Sequence, residues 1–208
     1  MAERKQLSIP SPRGPVQALF HAPAEGGAVV ICVGGFDGGF EGPADGLFPA
    51  LAEDLAPRGI GVLRLDFRDR RAPGIVPDGA SDVTAGIEEL KRRGVERIGL
   101  VGHSFGGAVM IYAGARSPEV QTVVTLSAQT AGAQDVAKLA PRPLLLIHGL
   151  DDIRLSPDCS RHLYSLAGEP KRLVLLPGAR HSLRQSAGEV RRLVGEWLIE
   201  QLAGQHFS

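Results

Sequence analysis

Residues 98–107 read Ile-Gly-Leu-Val-Gly-His-Ser-Phe-Gly-Gly. Ile98 to Val101 is a short apolar run with the character of a strand, and Phe105 to Ala115 has a helical pattern that Ser117-Pro118 ends. Between them, Gly102-x-Ser104-x-Gly106 forms a turn so tight that side chains two before and two after the serine would clash, hence glycine at both places. The turn lifts Ser104 clear of the sheet at a helix N-terminus, where N–H groups and the helix dipole favour a developing anion. In a chain with 27 glycines in 208 residues, chance supplies about 0.2 copies of the bare pattern. Its place at a strand-to-helix junction gives it meaning.

On both sides of this turn, short aliphatic runs alternate with longer amphipathic stretches. Strands are predicted at Val16 to Phe20 (on an edge), Ala28 to Val33, Ile60 to Leu65, Val120 to Leu126, Leu144 to Ile147 and Arg172 to Leu176. Helices are predicted at Asp45 to Ala56, Ser81 to Arg93, Pro157 to Ala167 and Glu189 to Leu202. This alternation implies an α/β fold, a mostly parallel sheet with helices on both faces, and residues 1–208 read as a single domain. In such sheets, chemistry gathers beyond the carboxyl ends of the strands.

Composition narrows the function classes. Lys+Arg and Asp+Glu balance at 23 each, and aromatics are 5%, so neither a nucleic-acid binder nor a base-stacking platform is expected. Gly and Pro make up about a fifth of the chain but lack the three-residue period of collagen. MAERKQLSIP contains no apolar core of a secretory signal, and no apolar run approaches the roughly 18 residues of a membrane span, so a cytoplasmic protein is expected. Cys32 and Cys159 stand far apart, with no CxxC, HExxH or Cys/His cluster, so no metal and no redox motif are expected. The absence of G-x-G-x-x-G and of a P-loop argues against nucleotide binding, and no cofactor is expected.

A nucleophilic serine needs a base, and the base an orienting acid. Of the six histidines, His21 and His206 lie near the ends and His162 is expected on an exposed helix face. His103 adjoins the serine and is expected to leave the elbow in another direction, while His148 opens the loop after Leu144 to Ile147 and is expected to shape that turn. His181 follows the last strand and precedes the last helix, where a base must hang to reach Ser104. The acid belongs after a strand between them, where Asp151 and Asp152 stand side by side; spacing leaves open which of the two is used. Backbone N–H groups of Phe105, next after the serine, and Phe36, in the Gly34-Gly35-Phe36 loop, are the expected oxyanion donors.

From about Val16 to Leu202 the chain resembles the α/β-hydrolase superfamily, and within it the small dienelactone hydrolase-like or carboxylesterase-like bacterial proteins. The resemblance rests on GHSFGG, on LLLIHGLDD followed by Leu155 and Pro157, and on LVLLPGARHS. In family patterns of the form H-G-x-x-D the carboxylate is the fifth residue, which implies Asp152. The resemblance also implies an acyl-enzyme on Ser104 with His181 as base. The chain departs from the pattern in carrying Gly34-Gly35 where many members have His-Gly, and Phe67-Arg68-Asp69-Arg70-Arg71 where Arg-Gly-x-Gly is common. Arg68, Arg70 and Arg71 are expected to be solvated, with an anion-reading role as the alternative. Dienelactone hydrolases proper use a cysteine where Ser104 stands, so their lactone chemistry does not carry over.

Lids in this superfamily are usually inserted between the strands at Val120–Leu126 and Leu144. Here Ser127 to Arg142 leaves room only for a loop and a short helix, so a minimal core without a lid domain is expected. The expectation is a cofactor-free serine hydrolase acting on small or exposed carboxylic esters, with a small-molecule ester as partner and neither nucleic acid nor membrane. The same residues would equally serve a thioesterase, lactonase, peptidase or acyltransferase, and a binding protein on a hydrolase scaffold is the alternative of another class.

Overall fold

The computed structural model describes residues 4–23, 27–68 and 75–203. The strands are β1 (Arg4–Ile9), β2 (Val16–His21), β3 (Ala28–Val33), β4 (Ile60–Asp66), β5 (Arg97–His103), β6 (Val120–Leu126), β7 (Leu144–Gly149) and β8 (Lys171–Leu176). They form one eight-stranded sheet in the order β1-β2-β4-β3-β5-β6-β7-β8. β2 runs antiparallel to both β1 and β4, and every other neighbouring pair is parallel. β3, β4 and β7 are buried along their whole length, as mainly aliphatic strands covered on both faces are, with Arg64, Asp66 and His148 buried among them.

Helices α1 (Pro43–Leu55) and α5 (Ala187–Leu202) cover one face, over a core that includes Val30, Val62, Val124, Leu47, Phe48, Leu51, Val194 and Leu198. Helices α2 (Val76–Arg92), α3 (Phe105–Gly114) and α4 (Asp158–Leu166) cover the other, over Ile31, Leu63, Leu100, Val83, Ile87, Val109 and Leu163. Each helix buries one apolar stripe against the sheet, and α3, the central one, is buried almost all round.

The edge strand differs from expectation. β1 lies outside β2, with Arg4 opposite His21 and Ile9 opposite Val16, so β2 is not an edge. β1 is exposed along most of its length, and its charged, polar start is what a protected sheet edge uses, which hides it from a search for apolar runs. The start of α1 is also irregular: Ala44, Asp45 and Gly46 are left-handed, and the regular turns follow them.

Arg68 corrects another expectation. It is not solvated: its Nε donates at 2.6 Å to Asp82 Oδ1, a carboxylate buried in α2, and its backbone N–H donates to Oδ2 at 3.1 Å. Asp82 therefore ties the end of β4 to α2. Arg70 and Arg71, like His206, lie outside the described residues. Between β6 and β7 the chain makes one 3-10 helix, Gln134–Leu139, which buries Val136 and Leu139. No lid is inserted there. Among the described residues no helix is long and apolar enough to cross a membrane.

Candidate active site

Ser104 stands between β5 and α3 with φ 55° and ψ −117°, a conformation an L-residue adopts only when its surroundings impose it. The glycines on either side explain the constraint. A side chain at Gly102 would overlap the carbonyl of Gly106, and one at Gly106 would overlap the carbonyl of Gly34. The clash is thus with backbone, and in the second case with the loop after β3. That loop passes directly over the serine: a Cβ on Gly35 would lie 3.2 Å from Ser104 Cβ.

Three of the sequence-predicted side chains converge. His181, beyond β8, places Nε2 3.0 Å from Ser104 Oγ and Nδ1 2.7 Å from Asp152 Oδ2, beyond β7. The carboxylate can only accept, so in the neutral ring Nδ1 carries the hydrogen and Nε2 offers its lone pair to the serine hydroxyl. Asp152 is the partner, and Asp151 is exposed, its N–H donating to the Ala179 carbonyl at 3.0 Å. Asp152 Oδ1 accepts from the N–H groups of Arg154 at 2.9 Å and Leu155 at 3.0 Å. Burial works to raise this carboxyl, but the Leu155 N–H, the His181 ring and the Arg154 N–H outweigh it and hold the group below the usual carboxylate range. Asp152 is therefore a buried anion at neutral pH.

Two histidines add to this arrangement in ways the sequence reading missed. His103 Nε2 lies 3.0 Å from the His181 carbonyl, to which it must donate, and the two rings are 4.9 Å apart. Burial pushes His103 down to about 4, against the pull of that carbonyl, so it is neutral. His148, fully buried, reaches Asp152 Oδ2 at 3.1 Å. Each sits beside a motif residue, which was the available signal, but nothing in the sequence says where its ring points. His162 is exposed on α4, as expected, and His21 lies 3.0 Å from Arg64 on the α1 face, away from the serine.

Ser104 and His181 open into a cleft of about 580 Å³. Its walls include Gly34–Phe36, Pro43, Gln129, Arg154, Leu155 and Arg184. The Phe36 ring, 54% exposed, packs 4.8 Å from the ring of Phe105, and Phe36 lines the same cleft as Ser104. Cys32 is buried, its thiol pushed up by burial, and plays no part in the cleft. Among the described residues no group of three His, Cys, Asp or Glu side chains is arranged to hold a metal.

No protein-family model matches the chain. A stretch of 50 residues, 24% of the chain, is 50% identical to the protein called uncharacterized protein YfhR of Escherichia coli (strain K12), and it covers 18% of that relative's length. Likeness to solved structures is far more extensive. A dienelactone hydrolase from Anabaena variabilis superposes with a TM-score of 0.82 at 22% identity, covering 97% of this chain and 99% of that one. Est1E from Butyrivibrio proteoclasticus gives 0.82 at 19% identity, covering 94% and 98%. XC6422 from Xanthomonas campestris, described as an α/β serine hydrolase without lid, gives 0.79 at 20% identity, covering 98% and 97%. At these identities the likeness shows the fold, and the fold is that of the α/β-hydrolases.

Proposed function

We propose that this α/β-hydrolase-fold protein is a serine hydrolase that cleaves carboxylic esters through an acyl-enzyme. The observation that carries the reading is the unbroken chain Ser104 Oγ, His181, Asp152, with links of 3.0 and 2.7 Å, at the floor of an open cleft. Ser104 Oγ attacks the acyl carbonyl and gives its proton to His181 Nε2. The imidazolium so formed faces the Asp152 carboxylate, which is held ionised. The carbonyl oxygen, now an anion, is received by the N–H groups of Phe36 and Phe105. Collapse of the tetrahedral adduct breaks the ester C–O bond, and His181 returns the proton to the departing alcohol. Water, deprotonated by the same ring, then attacks the acyl-serine and releases the acid. No cofactor enters this scheme.

Ester hydrolysis is favoured over a passive binding role because the serine is held in a strained conformation with a base already in contact. A binding surface has no use for either feature. In the test, a fluorophosphonate probe labels the wild-type protein and not Ser104→Ala, and turnover of p-nitrophenyl acetate falls about 10³–10⁶-fold in that variant. Full turnover by purified Ser104→Ala overturns the reading.

A further inference from the structure

His148 sits near the end of β7, four residues before Asp152, and the scheme above makes no use of it. Its Nδ1 lies 2.7 Å from Ser160 Oγ on α4, and its Nε2 lies 3.1 Å from Asp152 Oδ2 and 3.0 Å from the Leu155 carbonyl. Both neighbours of Nε2 are acceptors, so Nε2 carries a hydrogen. Burial keeps this ring from charging, against its hydrogen bonds to the Leu155 carbonyl and Asp152. The neutral ring then has a lone pair at Nδ1, and the Ser160 hydroxyl, also fully buried, donates to it. Ser160 thereby fixes the tautomer. Asp152 Oδ2 consequently accepts from two imidazoles, His181 at 2.7 Å and His148 at 3.1 Å, while Oδ1 accepts from two backbone N–H groups.

We propose that His148 is a positioning residue: by donating to the carboxylate oxygen that holds His181, it fixes that oxygen and sets how firmly His181 keeps its proton. The inference deepens the ester-hydrolase reading and rests on it for its effect on rate. The physical argument is a division of charge. An imidazolium at His181 is stabilised by the negative charge on Oδ2, and a second N–H pointed at the same oxygen withdraws part of it. Removing that N–H leaves more charge facing His181, which then holds its proton to higher pH. The other titratable or charged groups around His181 are His103 from β5, Arg154 from the Asp152 loop and Arg184 three residues further along its own segment, with Asp37 and Glu41 lining the same cleft. Substituting His148 leaves all of these in place.

The experiment compares wild type, His148→Leu, His148→Gln and Ser160→Ala by two measurements. One is the acid limb of kcat/KM for p-nitrophenyl acetate against pH, the other the NMR titration midpoint of the His181 ring. In His148→Leu both move upward together by about half to one pH unit. In His148→Gln, whose amide N–H can take the place of Nε2–H, both return toward wild type, and in Ser160→Ala both move part of the way. A folded His148→Leu in which neither moves, whatever the loss of rate, overturns the proposal. Should that variant fail to fold, an unshifted midpoint in Ser160→Ala overturns it. The NMR midpoint needs no turnover. A shifted ring in a protein inert toward every ester supports the positioning role and overturns the hydrolase reading, whereas an unshifted ring in an active enzyme overturns the positioning role alone.

Discussion

His103 follows β5's last glycine and precedes the serine, yet its ring turns back to hold the backbone of the loop that carries His181. Burial and, less strongly, the neighbouring His181 imidazole keep it neutral, at about 4, against the 3.0 Å hydrogen bond to the carbonyl, which favours the charged ring. The linkage has a definite sign. Between the unfolded value near 6.5 and the folded value near 4 the unfolded chain binds a proton that the native state refuses, so stability falls as pH falls through that window. Buried His148 acts in the same direction. We expect urea unfolding at pH 7, 6, 5 and 4.5 to show stability declining with acidity, and His103→Gln, which keeps a donor but cannot titrate, to decline less steeply. Parallel slopes for the two proteins contradict this assignment. Asp152 is the complementary case, a carboxylate kept ionised by the donors around it. The choice between Asp151 and Asp152 came from a resemblance; the geometry reason for it is that Asp152 turns inward while Asp151 stays exposed, its backbone N–H held by the Ala179 carbonyl.

The strand–turn–helix element made by β5 and α3 owes its shape to contacts beyond itself. Gly106 faces the carbonyl of Gly34 and, at 2.9 Å from a would-be Cβ, a methyl of Val33, so the elbow and the loop after β3 interlock. In Gly106→Ala one of the two must move. The expected result is a loss of about 2–4 kcal/mol in stability together with a fall of at least about 10²-fold in kcat/KM, because the moved loop carries Phe36. Thermal unfolding and ester kinetics on the purified variant check it, and wild-type values for both would show that the two elements do not interlock. The β1–β2 hairpin illustrates the opposite situation. β1 packs mainly by backbone pairing, with Arg4, Lys5 and Gln6 exposed, so its side chains carry little of the periodic signal that revealed the buried strands.

At the scale of the molecule, eight strands place every candidate residue at one end of the sheet, since Ser104, Asp152 and His181 follow β5, β7 and β8. The β6-to-β7 connection adds only the 3-10 helix Gln134–Leu139, which packs against α3 and does not reach the cleft, so the cleft stays open. An open cleft offers little apolar wall to a long acyl chain. Under the ester-hydrolase reading, kcat/KM on p-nitrophenyl esters should fall from C2–C4 to C12, and a preference for C12 would contradict it. The alternation of apolar runs with amphipathic stretches determined the layered α/β arrangement, because each run must be buried on both faces and each stretch on one. The glycine spacing around Ser104 determined the elbow, because only a residue without a side chain fits there. Chain order brought His181 and the Asp151–Asp152 pair into candidacy. The tertiary structure alone decided that Arg68 is spent on Asp82, that His103 braces the His181 loop and that His148 shares Asp152 with His181. Each of these depends on where a side chain points after distant strands have been brought side by side, and a one-dimensional pattern holds no record of that direction.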